Sequence, residues 1–125
     1  MNERGFTLVE VIIAVTILMF LVAAMGASTG AYVRLTAQDE ARAVASQLAQ
    51  ERLQRVQMDP DYAGLDTAYV GTETSLPGMP GFSRTTSVTL VGGANLASDH
   101  KLITVTVTGP GLAGPIVRTT TVAAP

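Results

Sequence analysis

The chain has no cysteine and no tryptophan. Without a thiol it has no disulfide framework, no thiolate metal site and no thiol nucleophile. A single histidine, His100, excludes His-based triads and multi-histidine metal sites. Charged residues amount to only 14%, and the net charge of -2 offers no basic surface, so no direct nucleic-acid binding is expected. The glycines follow turns rather than a strand leading into a helix, which leaves no phosphate-binding loop. No catalytic constellation, cofactor site or metal site emerges, and the chain reads as a non-enzyme.

What is abundant is unevenly placed. Hydrophobic residues make up 47% of the chain, with the excess lying before residue 34. From Phe6 to Val33 the only charged residue is Glu10. These 28 or so residues predict a helix of about 42 Å at 1.5 Å per residue, more than the roughly 20 residues a bilayer core requires. Arg4 and the α-amino group precede the run and favour a cytoplasmic N-terminus, although Arg34 stands at the other end. The expected topology is a single pass through a membrane, in contact with lipid, with residues 34–125 outside the cytoplasm. A carboxylate at membrane depth costs a few kcal/mol or more, so Glu10 is a functional candidate. The segment contains no cation to pair with it, which points to another subunit or a newly made chain end. Gly26 and Gly30 form a G-x-x-x-G spacing. Small residues so placed let helices approach closely; equally, two glycines weaken a helix by about 1 kcal/mol each.

Residues 34–58 continue in helical composition. Ala41, Val44, Ala45, Leu48, Ala49, Leu53 and Val56 recur in steps of three and four. Asp39, Glu40, Arg42, Gln47, Glu51, Arg52 and Arg55 are assigned to the polar face, with Glu51 and Arg55 spaced for an i,i+4 ion pair. Asp59-Pro60 stops the helix. Asp59 to Ala68 reads as a loop, and its Asp59, Asp61 and Asp66, with Gly64, fit a calcium loop poorly because Ala63 and Val70 fall at ligand positions. Strands are expected over Ser83 to Val91, Leu102 to Thr108 and Ile116 to Val122, with Tyr69-Val70 as a short edge. Gly92-Gly93-Ala94-Asn95 and Gly109 to Pro115 read as turns. Ser98 to Lys101, including His100, reads as a solvated turn. The fold class is α+β: one long N-terminal helix, half apolar and half amphipathic, with a small antiparallel β-sheet packed on the second half.

The stretch GFTLVEVIIAVTIL resembles the processing site of type IV prepilins and type II secretion pseudopilins. The resemblance covers about the first 30 residues. It implies a polar leader at residues 1–5, cleavage between Gly5 and Phe6 by a prepilin peptidase, N-methylation of Phe6, and a role for Glu10 at the fifth mature position. It further implies a filament-core helix half at 6–33, an amphipathic half at 34–58, and a β-rich region at 59–125. The implied partners are the peptidase, other pilin or pseudopilin subunits and an inner-membrane platform protein, with a surface or periplasmic filament as destination. Many main-filament pilins carry proline at the position of Ala27, and many close a C-terminal loop with a disulfide. This chain has neither, and the missing proline speaks against a main-subunit role, so the chain is most similar to a minor pilin, or to a minor pseudopilin of a secretion or DNA-uptake system. Two other readings of the N-terminus stand beside it. One is a secretory signal peptide cut before Ala27, releasing a soluble binding domain. The other is a plain membrane anchor in which Glu10 is incidental.

Overall fold

The computed structural model describes residues 5–93 and 98–125. They form two compact units divided between Thr36 and Ala37. One helix, α1 (Leu8–Gln57), supplies residues to both.

In the first unit α1 is the only regular element among the described residues. Its side chains from Leu8 to Thr36 are exposed, and it is long and apolar enough to cross a membrane. Thr16 and Thr29 turn their hydroxyls onto the carbonyls of Ile12 and Met25, at 2.8 and 3.0 Å. These hydroxyls are thereby satisfied inside the helix, as a hydrocarbon surrounding demands. The helix begins two residues later than Phe6. Thr7 accepts a hydrogen bond at its Oγ1 from the Glu10 backbone N–H at 3.3 Å, the geometry of an N-cap, which fixes where the first turn starts.

In the second unit the C-terminal part of α1 packs on a four-stranded antiparallel sheet. The strands are β1 (Gly71–Glu73), β2 (Ser83–Val91), β3 (His100–Thr108) and β4 (Ile116–Ala123), in the order β1-β2-β3-β4. A four-residue helix, α2 (Leu65–Ala68), interrupts the expected loop. Tyr69 caps α2, so the edge strand begins at Gly71 rather than Tyr69. Gly92 and Gly93 take φ of 89° and 82°, a left-handed conformation that glycine adopts without steric cost. The rest of that expected turn, Ala94 and Asn95, lies outside the described residues.

The alternation of β3 decides the core. Ile103, Val105 and Val107 are fully buried and meet Ala45, Leu48, Ala49, Leu53 and Val56 of α1, with Leu65, Leu76 and Phe82 closing the sides. Ala45 and Ala49, one turn apart and without exposure, keep the helix close to the sheet. Ala41 and Val44 are half-buried.

Two residues expected at the surface lie inside. Arg52, a polar-face residue by type, is only 8% exposed. It stands four residues from both Leu48 and Val56, on the same stripe, because i,i+4 residues share a helix face. Lys101, expected in a solvated turn, is only 4% exposed. His100 and Lys101 open β3, and Lys101 shares the inward face with Ile103, two residues on. Truncating Ile103 to alanine removes a fully buried side chain and should cost about 2–5 kcal/mol. Thr119→Ala, on the exposed side of β4, should stay within about 0.5 kcal/mol. Thermal denaturation of the full chain in detergent, followed by tyrosine fluorescence, separates the two.

Candidate functional site

Two groups of functional candidates lie in different units. The first is the N-terminal segment. Gly5, Phe6 and Thr7 precede α1 and are exposed, so the Gly5–Phe6 peptide bond is accessible and outside any helix or strand. Phe6 is 82% exposed. Glu10 occupies the first turn of α1. There a carboxylate sits on the favourable side of the helix dipole. Its backbone N–H serves the Thr7 cap, while its carboxylate makes no hydrogen bond or ion pair with the described residues. Thr7 is not among the residues singled out from the sequence, although T-x-x-E ahead of an apolar run is the signature of a capping box. Gly26 and Gly30 lie on the exposed helix, where a methyl group placed on either would meet nothing within 4 Å. That leaves room for close approach by another chain.

The second group is the buried charge system of the sheet unit. Glu73 on β1 takes a 2.8 Å hydrogen bond from Arg84 Nε, and Arg52 Nη1 approaches it to 3.7 Å. Arg52 also donates to Thr86 Oγ1 at 3.2 Å and to the Tyr69 carbonyl at 3.1 Å, and its guanidinium stands 4.9 Å from the Tyr69 ring centroid. Arg84 donates to the Leu48 carbonyl at 3.1 Å. Two buried guanidiniums thus share one carboxylate, and Glu73 ties a three-residue edge strand to its neighbour. The Arg84 hydrogen bond holds the Glu73 carboxyl below the usual carboxylate range. Burial pulls Arg52 down, with Glu73 acting against it.

A further clip joins the α1–β1 connection to β3. Lys101 Nζ reaches Asp66 Oδ2 at 2.8 Å and the Tyr62 carbonyl at 2.7 Å. Tyr62 OH donates to Asp99 at 2.8 Å; partial burial and then Asp99 push the phenol up to about 12. The three aspartates weighed for calcium do separate jobs. Asp59 accepts from the Asp61 N–H and from Tyr69 OH, which lowers its pKa in that order of effect. Asp61 accepts from the Gly64 N–H, and Asp66 pairs with Lys101. The described residues hold no group of three or more potential ligands.

Residues 1–26 match the family described as the prokaryotic N-terminal methylation motif. The chain carries the N-terminal signature of type IV pilins and pseudopilins. That signature goes with processing by a prepilin peptidase and assembly with other pilin subunits, in a family that is structural rather than catalytic. The apolar part of α1 fits a membrane-anchored pilin destined for a filament. No curated protein and no solved structure matches the chain.

The charge system makes the sheet unit acid-sensitive. Glu73 and Asp59 have lowered folded-state pKa values. Their stabilisation is therefore present above the ordinary values of 4.5 and 3.8 and is lost as pH falls through the lower folded ones. The raised Tyr62 value works the other way: its contribution is complete below pH 10 and lost as pH rises toward about 12. Glu73→Gln should flatten the acid limb of the stability profile. It should also cost about 1–3 kcal/mol at neutral pH, less than the roughly 3–5 kcal/mol of a fully buried pair because Glu73 is partly solvated. Melting temperatures of both proteins between pH 3 and pH 8 test this.

Proposed function

We propose that this protein is a minor structural subunit of a type IV pilus-like filament. A prepilin peptidase cleaves between Gly5 and Phe6 and methylates the Phe6 amine. The observation that carries the reading is the methylation motif over residues 1–26. Its support from the geometry is that Gly5 and Phe6 are exposed and precede the first helical turn. The precursor sits in the inner membrane with its N-terminus in the cytoplasm, and a platform protein passes it to the growing filament. A minor pseudopilin of a type II secretion or DNA-uptake machine uses the same N-terminal chemistry and is the second reading. The absence of proline at Ala27 favours a minor role in either case.

Glu10 then acts between subunits. The new Phe6 amine, with a reference pKa near 8, is largely protonated at neutral pH. It stands at the positive end of a helix dipole, where a cation is disfavoured. The Glu10 carboxylate of a neighbouring subunit neutralises it once both are desolvated, and removing one partner of such a pair is costly. Close approach of helices at Gly26 and Gly30 belongs to the same assembled state. The protein itself catalyses nothing.

Intact mass and N-terminal peptide analysis of the protein from native membranes should find a chain beginning at N-methylated Phe6. A start at Met1 or at Ala27 overturns the proposal, the latter in favour of a secreted domain. Glu10→Ala should remain in the membrane and fail to enter filaments; normal incorporation would remove the pairing role.

A further inference from the structure

The sheet has two edges, and they differ. On one side it ends in β1, three residues long. Glu73 of β1 stands opposite Arg84 and accepts its 2.8 Å hydrogen bond, so that edge is short and pinned. On the other side it ends in β4, eight residues long and paired with β3 without a break from Ile116 to Val107's neighbour strand end at Ala123. Alternate residues of an antiparallel strand turn their N–H and C=O groups away from the strand they pair with. Among the described residues, the backbone of residues 116–123 bonds to no other backbone than that of β3. Folds guard an edge of this length with proline, lysine, a bulge or a cover. β4 contains no proline, no lysine and no bulge.

The helix-facing side of β4 dictates what an added strand must carry. Ile116, Arg118, Thr120 and Val122 stand opposite Val107, Val105, Ile103 and Lys101, and directly opposed residues share a face. Ile116 and Val122 are half-buried against the core. Thr120 accepts a hydrogen bond from Gln57 of α1. Arg118 is exposed, and its one hydrogen bond among the described residues is a long one, 3.5 Å to Ser46 Oγ. A strand beside β4 would set apolar residues against Ile116 and Val122 and a carboxylate against Arg118. The chain makes that last pairing itself at its other edge, between Glu73 and Arg84. A second copy cannot supply it. Glu73 is the only acid on the four strands, and Arg84 and Arg52 already hold it.

We infer that the free edge of β4 receives an extended strand from a different subunit of the filament. That strand carries Asp or Glu opposite Arg118 and apolar residues opposite Ile116 and Val122. Main-chain hydrogen bonds give such a contact its affinity, and the alternate side chains give it specificity. The inference rests on the minor-subunit reading above and gives that subunit a specific neighbour, away from the Phe6–Glu10 pair.

The test places a photo-reactive amino acid at Thr121 of the full chain, in cells that assemble filaments, and maps the adduct by mass spectrometry. The adduct should lie in an extended segment of another pilin-type subunit, with an acid in register with Arg118. Arg118→Glu should lower its yield by about tenfold. Exchanging the partner's acid for arginine in the same cells should restore the yield to within about twofold. In the purified cross-linked pair, the alternate amides of residues 116–123 that exchange freely in the lone chain should slow by about tenfold or more. No adduct, an adduct to a second copy, or an adduct to a helix overturns the inference. An unchanged yield in Arg118→Glu, no recovery in the double exchange, or unprotected alternate amides overturns it too. All of these leave the processing reading intact. A wild-type chain that does not begin at Phe6 overturns the filament reading instead.

Discussion

An apolar helical run whose side chains are exposed is the constraint from which the rest follows. From Leu8 to Leu35 the large side chains of α1 lie open. Each would gain about 1.5–3 kcal/mol from being covered. A run of this kind is not tolerated in water as a free surface; it belongs in lipid or among other helices. The same requirement explains why the hydroxyls of Thr16 and Thr29 are turned inward onto carbonyls. It also explains why the one ionised group, Glu10, sits at the end of the segment rather than in its middle. A carboxylate in the first helical turn is favoured by the helix dipole and remains within reach of a cation brought by another molecule.

The long helix, the three main strands and the antiparallel sheet are legible in the sequence because their periodicities are strong. β3 shows why: Ile103, Val105 and Val107 alternate with threonines, and period two admits only one face for burial. The same rule, followed strictly, places Lys101 inside, and the i,i+4 rule places Arg52 inside. Reading by residue type rather than by phase puts both at the surface. Long cationic side chains can occupy an inward position when carbonyls, a carboxylate and an aromatic ring converge on the head group, as they do at Lys101 and Arg52. Those partners come from residues 17 to 39 positions away, and local pattern carries no record of them. The edge strand starts two residues later than its sequence pattern suggests for a similar reason, since α2 consumes Tyr69 as its cap.

At the N-terminus the legible part is chemical and the hidden part geometric. Gly5, Phe6 and Glu10 are recognisable by spacing. The Thr7 cap is equally available as T-x-x-E, yet it is overshadowed by the charge next to it. The cap matters because it divides the work of Glu10. The backbone N–H closes the helix end from within the chain, and the carboxylate is left over. A side chain with both jobs inside its own chain would have no reason to seek a partner.

That division extends to the second unit. Arg52, Arg84 and Lys101 are buried, and each is paired, because an unpaired buried charge costs several kcal/mol. Alanine at positions 45 and 49 brings the helix near enough to the sheet for Arg84 to reach the Leu48 carbonyl, so the small core and the buried ion system depend on each other. Among the described residues of this unit, the charges with no such obligation lie at exposed positions of α1, at Asp39, Glu40 and Arg42. An isolated exposed ion pair is worth little. Left in water, such charges add little to stability, which in this unit rests on the apolar core and the buried pairs.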